Sequence, residues 1–518
     1  MTLNFLLHSP LSKSCSSCKS CQKNLVAPLT NLKREFLLNI LLLVFINLLI
    51  KPIFIFGIDL GVQNRVGEHY GTYFALLNLA YLFQILNDFG IQSFNNRHIS
   101  QHPQLLPKYF PNLLAIKWLL ATLYVTLTMA VAAFVLGYGA DVLPLLFILL
   151  INQVLVQLVL FLRSNISGLG FYRLDSLLSS LDKLLMVITC GVLIWTDWLP
   201  FSLLNFALAQ TIALFLTGIV VFFLLRQRAV FPVKPNWTSN WRAGKPAVFS
   251  MFRQSLPYAL VVLLMFAYTR LDAVLLERMA GAAHADIYAS AFRLLEACNM
   301  FGYLFASLLL PMFARLLKEK ESIRPLTSMS FKLIWAGSVT LAAAIFFARE
   351  DLLRLMMPAR ANEYRFEVLG VLIWAFVPVS VTYIFSTLLT ARERMMRMNR
   401  FFVVGIALDL ALNLLLIPHF QAIGSAIAAL STQIFIAAAM IWLCVSEFDF
   451  RPSRLGLIQT FGFFGFVLVS DWLLFERSGL AWQIKFGSAL LVGLGGLFLF
   501  KMVGLASLRA LGGSKEVA

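Results

Sequence analysis

Charge is scarce in this sequence, and its scarcity excludes a whole class of proteins. Charged residues make up only 13% of the chain and hydrophobic residues 60%, whereas a soluble globular domain is about 25% charged. The mean hydropathy is +0.82. We therefore expect a polytopic membrane protein, since 518 residues leave room for more than a dozen spans of about 20 residues each.

The signatures of the common enzyme classes are also missing. The chain contains no GxSxG elbow, no HExxH pair and no Walker A loop, which mark hydrolases, metalloproteases and nucleotide-binding enzymes. Its six histidines lie in or near predicted loops, and none of them is at a metal-ligand spacing. We predict that the protein is not an enzyme and has no metal site and no cofactor.

Cysteines are few and fall into two groups. Cys190, Cys298 and Cys444 lie singly in apolar stretches, where a small buried hydrophobic side chain is expected. The cluster Cys15, Cys18 and Cys21, with His8 as a fourth ligand, has a spacing compatible with zinc. Its Ser-rich and Lys-rich surroundings favour instead an extension with reduced thiols.

Fourteen apolar runs predict transmembrane helices, and no soluble segment is long enough to fold a nucleic-acid-binding module. The formal charge of +17 is therefore read as a bias of Lys and Arg toward cytoplasmic loops. The predicted spans are 36–56, 73–94, 113–136, 142–162, 176–195, 201–225, 254–276, 287–313, 331–347, 368–389, 401–417, 422–445, 455–475 and 482–503.

The loop charges orient these helices. If the N-terminus is cytoplasmic, the inner connections carry roughly four times as many Lys and Arg residues as the outer ones. This asymmetry predicts an even number of spans with both termini in the cytoplasm. One outer loop, 348–367, is an exception because it contains four arginines, although four acidic residues accompany them.

The order of the spans predicts two six-helix lobes. A basic linker, 226–253, separates spans 36–225 from spans 254–445, and 446–518 adds two helices and a short tail. The stretch 1–35 is a predicted cytoplasmic extension. A cation followed by an aromatic, small-residue segment occurs in each lobe, at Lys51 and at Arg270. This repetition favours a pseudo-two-fold arrangement of the kind found in transporters.

Several charges lie inside predicted spans, where each costs about 2.5 to 3.5 kcal/mol unless it meets a partner, water or substrate. Arg270 and Asp272 are in one span, and Arg293 and Glu296 are in the next. The last two are three residues apart, so a local ion pair is the alternative to a substrate role. Lys51 precedes a proline near the end of its span, where snorkelling to headgroups competes with a cavity position.

Three further groups of polar residues stand out. Asp182 and its neighbour Lys183 project about 100° apart, so one can pair locally while the other points elsewhere. Helical spacing places Gln84, Asp88 and Asn95 on nearly one face, directed toward the bundle interior or toward another helix. A small and polar edge formed by Gly405, Asp409 and Asn413 suits close packing or a cavity wall.

Four segments in order resemble the polysaccharide-export flippases of the MATE-like superfamily, over about residues 35–445. The segments are VGEHYGTYFALLNLAYLFQILNDFGIQSFNNRHIS, FLRSNISGLGFYRLDSLLSSLDKLLMVITCG, YTRLDAVLLERMAGAAHADIYASAFRLLE and LNLLLIPHFQAIGSAIAAL. The resemblance implies a twelve- or fourteen-helix bundle with a partly cationic cavity between two lobes. It also implies alternating-access movement of an undecaprenyl-pyrophosphate-linked oligosaccharide across a bacterial inner membrane. The cavity residues expected from the resemblance and from the polar edge are Lys51, Asp88, Arg270, Asp272, Arg293, Glu296, Asp409 and Asn413.

The expected partners are the lipid-linked oligosaccharide, membrane lipids, a coupling H⁺ or Na⁺, and polysaccharide assembly proteins. An ion-coupled multidrug or small-molecule exporter of the same fold is the main alternative, but the intramembrane cations favour an anionic substrate. A lipid II flippase would differ only in the sugar carried. A membrane glycosyltransferase or ligase is the remaining alternative. It would usually need an acidic pair or a sizeable outer loop, and the 348–367 loop is the only place for one.

Overall fold

The computed structural model describes residues 50, 52–101, 104, 106–196, 200–228, 240–450, 454–500 and 502. Lys51 and the Cys15, Cys18 and Cys21 cluster lie outside these ranges. Within them the regular structure is entirely helical. After a π-helical turn at Ile53–Asp59, the α-helices are α1 Leu60–Val66, α2 His69–Leu82, α3 Ile91–Gln101, α4 Leu106–Ala130, α5 Leu143–Gly168, α6 Tyr172–Leu178, α7 Leu181–Trp195, α8 Leu203–Arg228, α9 Asn240–Ala280, α10 Ala282–Glu319, α11 Arg324–Phe347, α12 Arg349–Met356, α13 Glu363–Leu372, α14 Phe376–Ala391, α15 Met395–Phe448, α16 Arg454–Arg477 and α17 Trp482–Leu499.

The predicted all-helical membrane fold is confirmed. Ten helical stretches of the described chain are long and apolar enough to cross a membrane, and several of these are longer than one span. Helix α15 contains two of the predicted spans, 401–417 and 422–445. They are separated by a kink at Gln421, whose φ is 51°. Pro418 precedes this kink and cannot donate a helical hydrogen bond, so the chain reverses there. The three cysteines of the described part are buried free thiols, as expected.

The predicted span 73–94 is not one helix. Helix α2 ends at Leu82, a 3₁₀ turn covers Gln84–Asn87, and α3 begins at Ile91. Between them Phe89 and Gly90 have φ values of 46° and 81°, a conformation that ends helices and that glycine adopts without steric cost. The shared face expected for Gln84, Asp88 and Asn95 is therefore wrong, because it assumed a continuous helix.

Helices pack mainly within two groups. In the first half, α8 packs against α5 and α7, and α3 packs against α5; in the second half, α15 packs against α9 and α14. Contacts between the halves come chiefly from α2, which lies against both α9 and α10. Helices α16 and α17 pack on each other and on α11. The lobe boundaries stay a prediction, since residues 229–239 of the linker lie outside the described ranges.

One end of the bundle, which we call the Gly281 face, is closed by polar contacts between the halves. The side-chain amide of Gln63 donates to Asp286 Oδ1 at 2.7 Å. Arg360 lies 2.7 Å from the same carboxylate and donates to the Gln63 carbonyl at 3.1 Å. Asp286 is fully buried and also pairs with Arg365. The two halves are therefore fastened together at this face.

These contacts also account for the arginines of the 348–367 loop. Two of them pair with the buried Asp286 carboxylate, as above. Arg354 lies 3.8 Å from Glu350, and Arg349 donates to the carbonyl of Phe346 at 2.8 Å. Each arginine has a partner within the protein, so the loop presents less free positive charge than its sequence suggests.

Candidate functional site

A cavity of about 530 Å³ lies between the two halves, and we call it the central cavity. Its volume is within the range of about 300 to 1,000 Å³ typical of ligand sites. Helices α2, α5, α7 and α8 of the first half and α9 and α10 of the second half contribute to its wall. The charged residues on this wall are Asp59, Arg163, Asp182, Lys183, Arg270, Arg293 and Glu296.

Arg270 is held on this wall by contacts on all sides. Its Nη2 lies 2.7 Å from Glu296 Oε1, and its Nη1 donates to Asn78 Oδ1 at 3.1 Å. The guanidinium carbon is 4.9 Å from the centre of the Tyr81 ring and 5.3 Å from that of Phe292. Aromatic faces attract and orient a guanidinium, so its position is fixed before any ligand binds.

The two members of this ion pair differ in their access to the cavity. The Arg270 side chain is 14% exposed and the Glu296 side chain 48% exposed. An exposed carboxylate is easily solvated when it leaves, because water replaces its lost partner. Glu296 is therefore the more solvated member of the pair, and Arg270 the more enclosed one.

Arg293 is paired more tightly, and with the other half. Its Nε and Nη2 donate to Asp59 Oδ2 at 3.1 and 2.9 Å, and its Nη2 lies 2.9 Å from the Tyr70 hydroxyl. It also donates to the Gln63 side chain. The Arg293 side chain is only 4% exposed. This geometry joins α10 to the first half next to the Gly281 face.

The local pair between Arg293 and Glu296 does not form. Arg293 pairs with Asp59, and Glu296 pairs with Arg270. The two residues therefore do not pair with each other, although they are three residues apart on the same helix. Sequence reasoning missed Asp59, because the predicted first span ended at residue 56 and assigned it to a loop. The available signal was a carboxylate directly after a strongly apolar run.

Asp272, Asp409 and Asn413 come together away from the central cavity. Asp272 accepts hydrogen bonds from Asn413 Nδ2 at 2.7 Å and from the Tyr288 hydroxyl at 3.2 Å. Asp409 accepts from the Thr432 hydroxyl at 3.2 Å. Within the described ranges its second oxygen, Oδ2, has no hydrogen-bond donor although the residue is fully buried. The second half thus contains two buried carboxylates in one polar cluster.

Asp88 occupies a different environment from the other predicted residues. It lies 2.6 Å from Lys117 Nζ, and the two side chains are 15% and 5% exposed. It is not part of the central cavity wall. Asn95 binds Ser164 and Asn165 on α5 at 3.0 and 2.9 Å. Of the three residues predicted to share a face, Gln84 alone lines the central cavity.

The remaining wall is aromatic and amide-rich. Tyr73, Phe74 and Phe54 present rings, and Gln153 and Gln210 present amides. Stacked rings and amide hydrogen bonds are a combination that binds molecules with both apolar faces and hydroxyl groups. The central cavity therefore places the Arg270 guanidinium and its more exposed partner Glu296 beside a hydrogen-bonding surface of aromatic rings and amides.

Comparison with known proteins gives a consistent result. The family model described as polysaccharide biosynthesis protein matches residues 37–317, more than half of the chain. None of the curated proteins compared with the chain matches its sequence significantly.

Three solved structures illustrate the fold similarity. The lipid II flippase MurJ in an inward closed conformation has a TM-score of 0.67 and 12% identity, with 90% of this chain and 100% of that chain covered. An inward-facing multidrug resistance MATE family transporter of the MOP superfamily has a TM-score of 0.57 and 13% identity, covering 79% and 95%. A MOP superfamily transporter from Pyrococcus furiosus, whose binding pocket is described as having reverse polarity, has a TM-score of 0.54 and 13% identity, covering 80% and 95%. At these identities the likeness establishes the fold.

Proposed function

The chain belongs to the polysaccharide biosynthesis protein family and has a flippase and transporter fold; from that premise we propose that it moves an undecaprenyl-pyrophosphate-linked oligosaccharide from the cytoplasmic to the periplasmic leaflet of a bacterial inner membrane. The observation that carries the proposal is the Arg270 guanidinium, fixed on the wall of a cavity between two helical halves. The chain acts without covalent chemistry, as a carrier and not as an enzyme.

The substrate explains why a charge is placed there. A pyrophosphate with attached sugars is anionic and hydrated, so it cannot cross hydrocarbon unaided, while its polyprenyl tail can remain in the lipid. A guanidinium binds phosphate oxygens through two parallel hydrogen bonds. In the proposed cycle the pyrophosphate displaces Glu296 from Arg270, and the displaced carboxylate is solvated in the cavity.

The aromatic and amide side chains of the wall suit the sugars. Sugar rings have apolar faces that pack on aromatic side chains, and their hydroxyls pair with amides such as those of Gln153 and Gln210. A cationic drug would find the fixed guanidinium repulsive. The observed wall therefore supports a lipid-linked oligosaccharide over a cationic small molecule.

Movement across the membrane requires access from each side in turn. We propose that the first-half and second-half helix groups are the moving units. The contacts among Gln63, Asp286 and Arg360 close the Gly281 face, and they must break for the cavity to open there. With a cytoplasmic N-terminus, the Gly281 face is the periplasmic one.

The cluster of Asp272, Asp409 and Asn413 is our proposed site for the coupling ion. Two buried carboxylates are costly when, as among the described residues, no cation pairs with them, and a bound H⁺ or Na⁺ would neutralise one charge. The oxygen of Asp409 that has no donor within the described ranges is available to it. Asp272 lies on α9, which also carries Arg270. Binding of the ion to Asp272 is therefore coupled through this helix to binding of the substrate to Arg270.

The test is where the lipid-linked oligosaccharide accumulates in cells that lack the protein. We expect complete oligosaccharide units on undecaprenyl pyrophosphate, held in the cytoplasmic leaflet and inaccessible to a periplasmic lectin or glycosidase. Truncated sugar chains would point instead to a transferase or ligase. Accumulation of lipid II would identify a lipid II flippase. If no lipid-linked intermediate accumulates and the cells become more sensitive to drugs, the protein is a small-molecule exporter.

A further inference from the structure

Lys183 on α7 differs from the other cations on the described wall of the central cavity. Arg163, Arg270 and Arg293 each have a carboxylate oxygen within 2.8, 2.7 and 2.9 Å. The Lys183 ammonium lies 3.6 Å from Asp182 Oδ2, beyond the 2.7 to 3.2 Å usual for a hydrogen bond. Its one hydrogen-bond contact in the described chain is to a thioether sulfur, Met186 Sδ, at 3.6 Å.

The surroundings of Lys183 do not complete its hydrogen bonding. An ammonium has three donors, and a thioether is a weak acceptor. The ammonium also lies 5.0 Å from the centre of the Phe54 ring, which attracts the charge and leaves the donors free. The side chain is 28% exposed, toward the cavity. An intramembrane cation without a strong partner marks a ligand or ion pathway.

Lys183 and Arg270 lie at similar depths on opposite halves. Both helices end at the Gly281 face, where Arg65 bonds the Ile194 carbonyl near the end of α7 and α9 ends at Ala280. Lys183 is twelve residues before Trp195, and Arg270 is ten residues before Ala280. At 1.5 Å per residue these are about 18 and 15 Å from the helix ends.

We propose that Lys183 binds a second anionic group of the substrate while Arg270 binds the first. The inference rests on the proposed function. Arg270 belongs to the second half, and Lys183 adds a binding residue in the first half, so that each moving unit of the proposed cycle contacts the substrate. The second anion is either the second phosphate of the pyrophosphate or the carboxylate of an acidic sugar, since an ammonium pairs with both. A substrate held by both cations contacts both moving units at once.

The experiment measures dissociation constants for purified full-length protein in lipid nanodiscs. The probes are undecaprenyl phosphate, undecaprenyl diphosphate, and undecaprenyl diphosphate carrying either a neutral hexose or a hexuronic acid. The variants are Lys183→Met, Lys183→Arg and, as a matched control, Lys318→Met at an exposed position. Ratios between probes are compared, because a ratio is insensitive to the fraction of protein that is folded.

If the second phosphate is the ligand, the wild type binds the diphosphate about tenfold tighter than the monophosphate. Lys183→Met abolishes that preference, while Lys183→Arg and Lys318→Met retain it. If an acidic sugar is the ligand, Lys183→Met abolishes instead a preference for the hexuronic acid over the hexose. A Lys183→Met variant that keeps both preferences, or a wild type that shows neither, overturns the inference.

The proposed function can fail separately. Arg270→Gln should weaken binding of every phosphate-containing probe. If the wild type binds none of the probes, the flippase proposal and the Lys183 inference fall together. If the wild type binds them and Lys183→Met changes neither ratio, the inference about Lys183 alone is wrong.

Discussion

Arg270 Nη2 lies 2.7 Å from Glu296 Oε1, and the carboxylate is the more exposed partner at 48% against 14%. The guanidinium is also held by Asn78 and by the rings of Tyr81 and Phe292. A pair with one fixed and one exchangeable member is suited to anion binding, because the incoming anion replaces the carboxylate without moving the cation.

The first prediction concerns Glu296→Gln. Removing the competing charge leaves the Arg270 guanidinium more available, so binding of undecaprenyl diphosphate should tighten by about fivefold to tenfold. Transport should slow, since release of the anion no longer has a carboxylate to assist it. The measurements are a binding titration and a flipping rate on the same preparation. Weaker binding in Glu296→Gln would show that the glutamate only positions Arg270.

The second prediction concerns the buried Asp286. Asp286→Ala leaves Arg365, which is 4% exposed, without its carboxylate, and it also removes the partner of Gln63. Breaking a buried ion pair costs about 3 to 5 kcal/mol, so the Tm in detergent should fall clearly. Accessibility of a cysteine introduced on the central cavity wall to a periplasmic reagent should rise at the same time. Unchanged labelling would contradict a closing role for this contact.

Glu350→Ala is the matched control for Asp286→Ala. It also removes a carboxylate from an arginine of the 348–367 region, but Glu350 and Arg354 are exposed and 3.8 Å apart. Such a pair contributes about 0 to 1 kcal/mol. Both the Tm and the labelling should stay close to those of the wild type.

The third prediction concerns Asp88, which the sequence grouped with the cavity residues. The structure pairs it with Lys117 at 2.6 Å, off the central cavity wall. Asp88→Asn should lower the Tm, because it leaves the 5% exposed Lys117 ammonium without a charge partner. The dissociation constant for undecaprenyl diphosphate should be unchanged in the folded fraction. A selective loss of binding at unchanged Tm would return Asp88 to the translocation path.

The fourth prediction concerns the coupling ion. Asp409→Asn removes one of the two buried carboxylates of the cluster formed by Asp272, Asp409 and Asn413, and it should abolish the acceleration of transport by an H⁺ or Na⁺ gradient. Transport down a substrate gradient should continue. Asp471→Asn is the control, because Asp471 is also fully buried and, within the described ranges, has no hydrogen-bond partner on either oxygen. A gradient response that survives in Asp409→Asn would contradict the proposed coupling site.

Much of the fold follows from the sequence because hydrophobicity and length decide it. Apolar runs of about 20 residues must form helices in a membrane, where every backbone polar group needs a partner within the segment. The exception is local. Gly90 interrupts the predicted span 73–94 through a positive φ value, and hydropathy does not register such a break. Gln421, also at positive φ, falls between the predicted spans 401–417 and 422–445.

The site was less predictable, because the partners are far apart in the chain. Residues Arg270, Arg293 and Glu296 stood out as intramembrane charges, and all three line one cavity. Their pairing did not follow from spacing, since Arg293 bonds a residue 234 positions away. The same is true of Asp272, whose partner Asn413 is 141 positions away. Such contacts depend on how helices pack, which a single sequence does not specify.

The most direct test is the rate at which undecaprenyl-pyrophosphate-linked oligosaccharide crosses the bilayer of proteoliposomes containing wild-type protein or Arg270→Gln. Arrival in the outer leaflet can be followed with an external glycosidase. We expect rapid crossing with the wild type, and with Arg270→Gln crossing at the rate of protein-free liposomes although the variant inserts and stays folded. Crossing at the wild-type rate in Arg270→Gln would contradict the account.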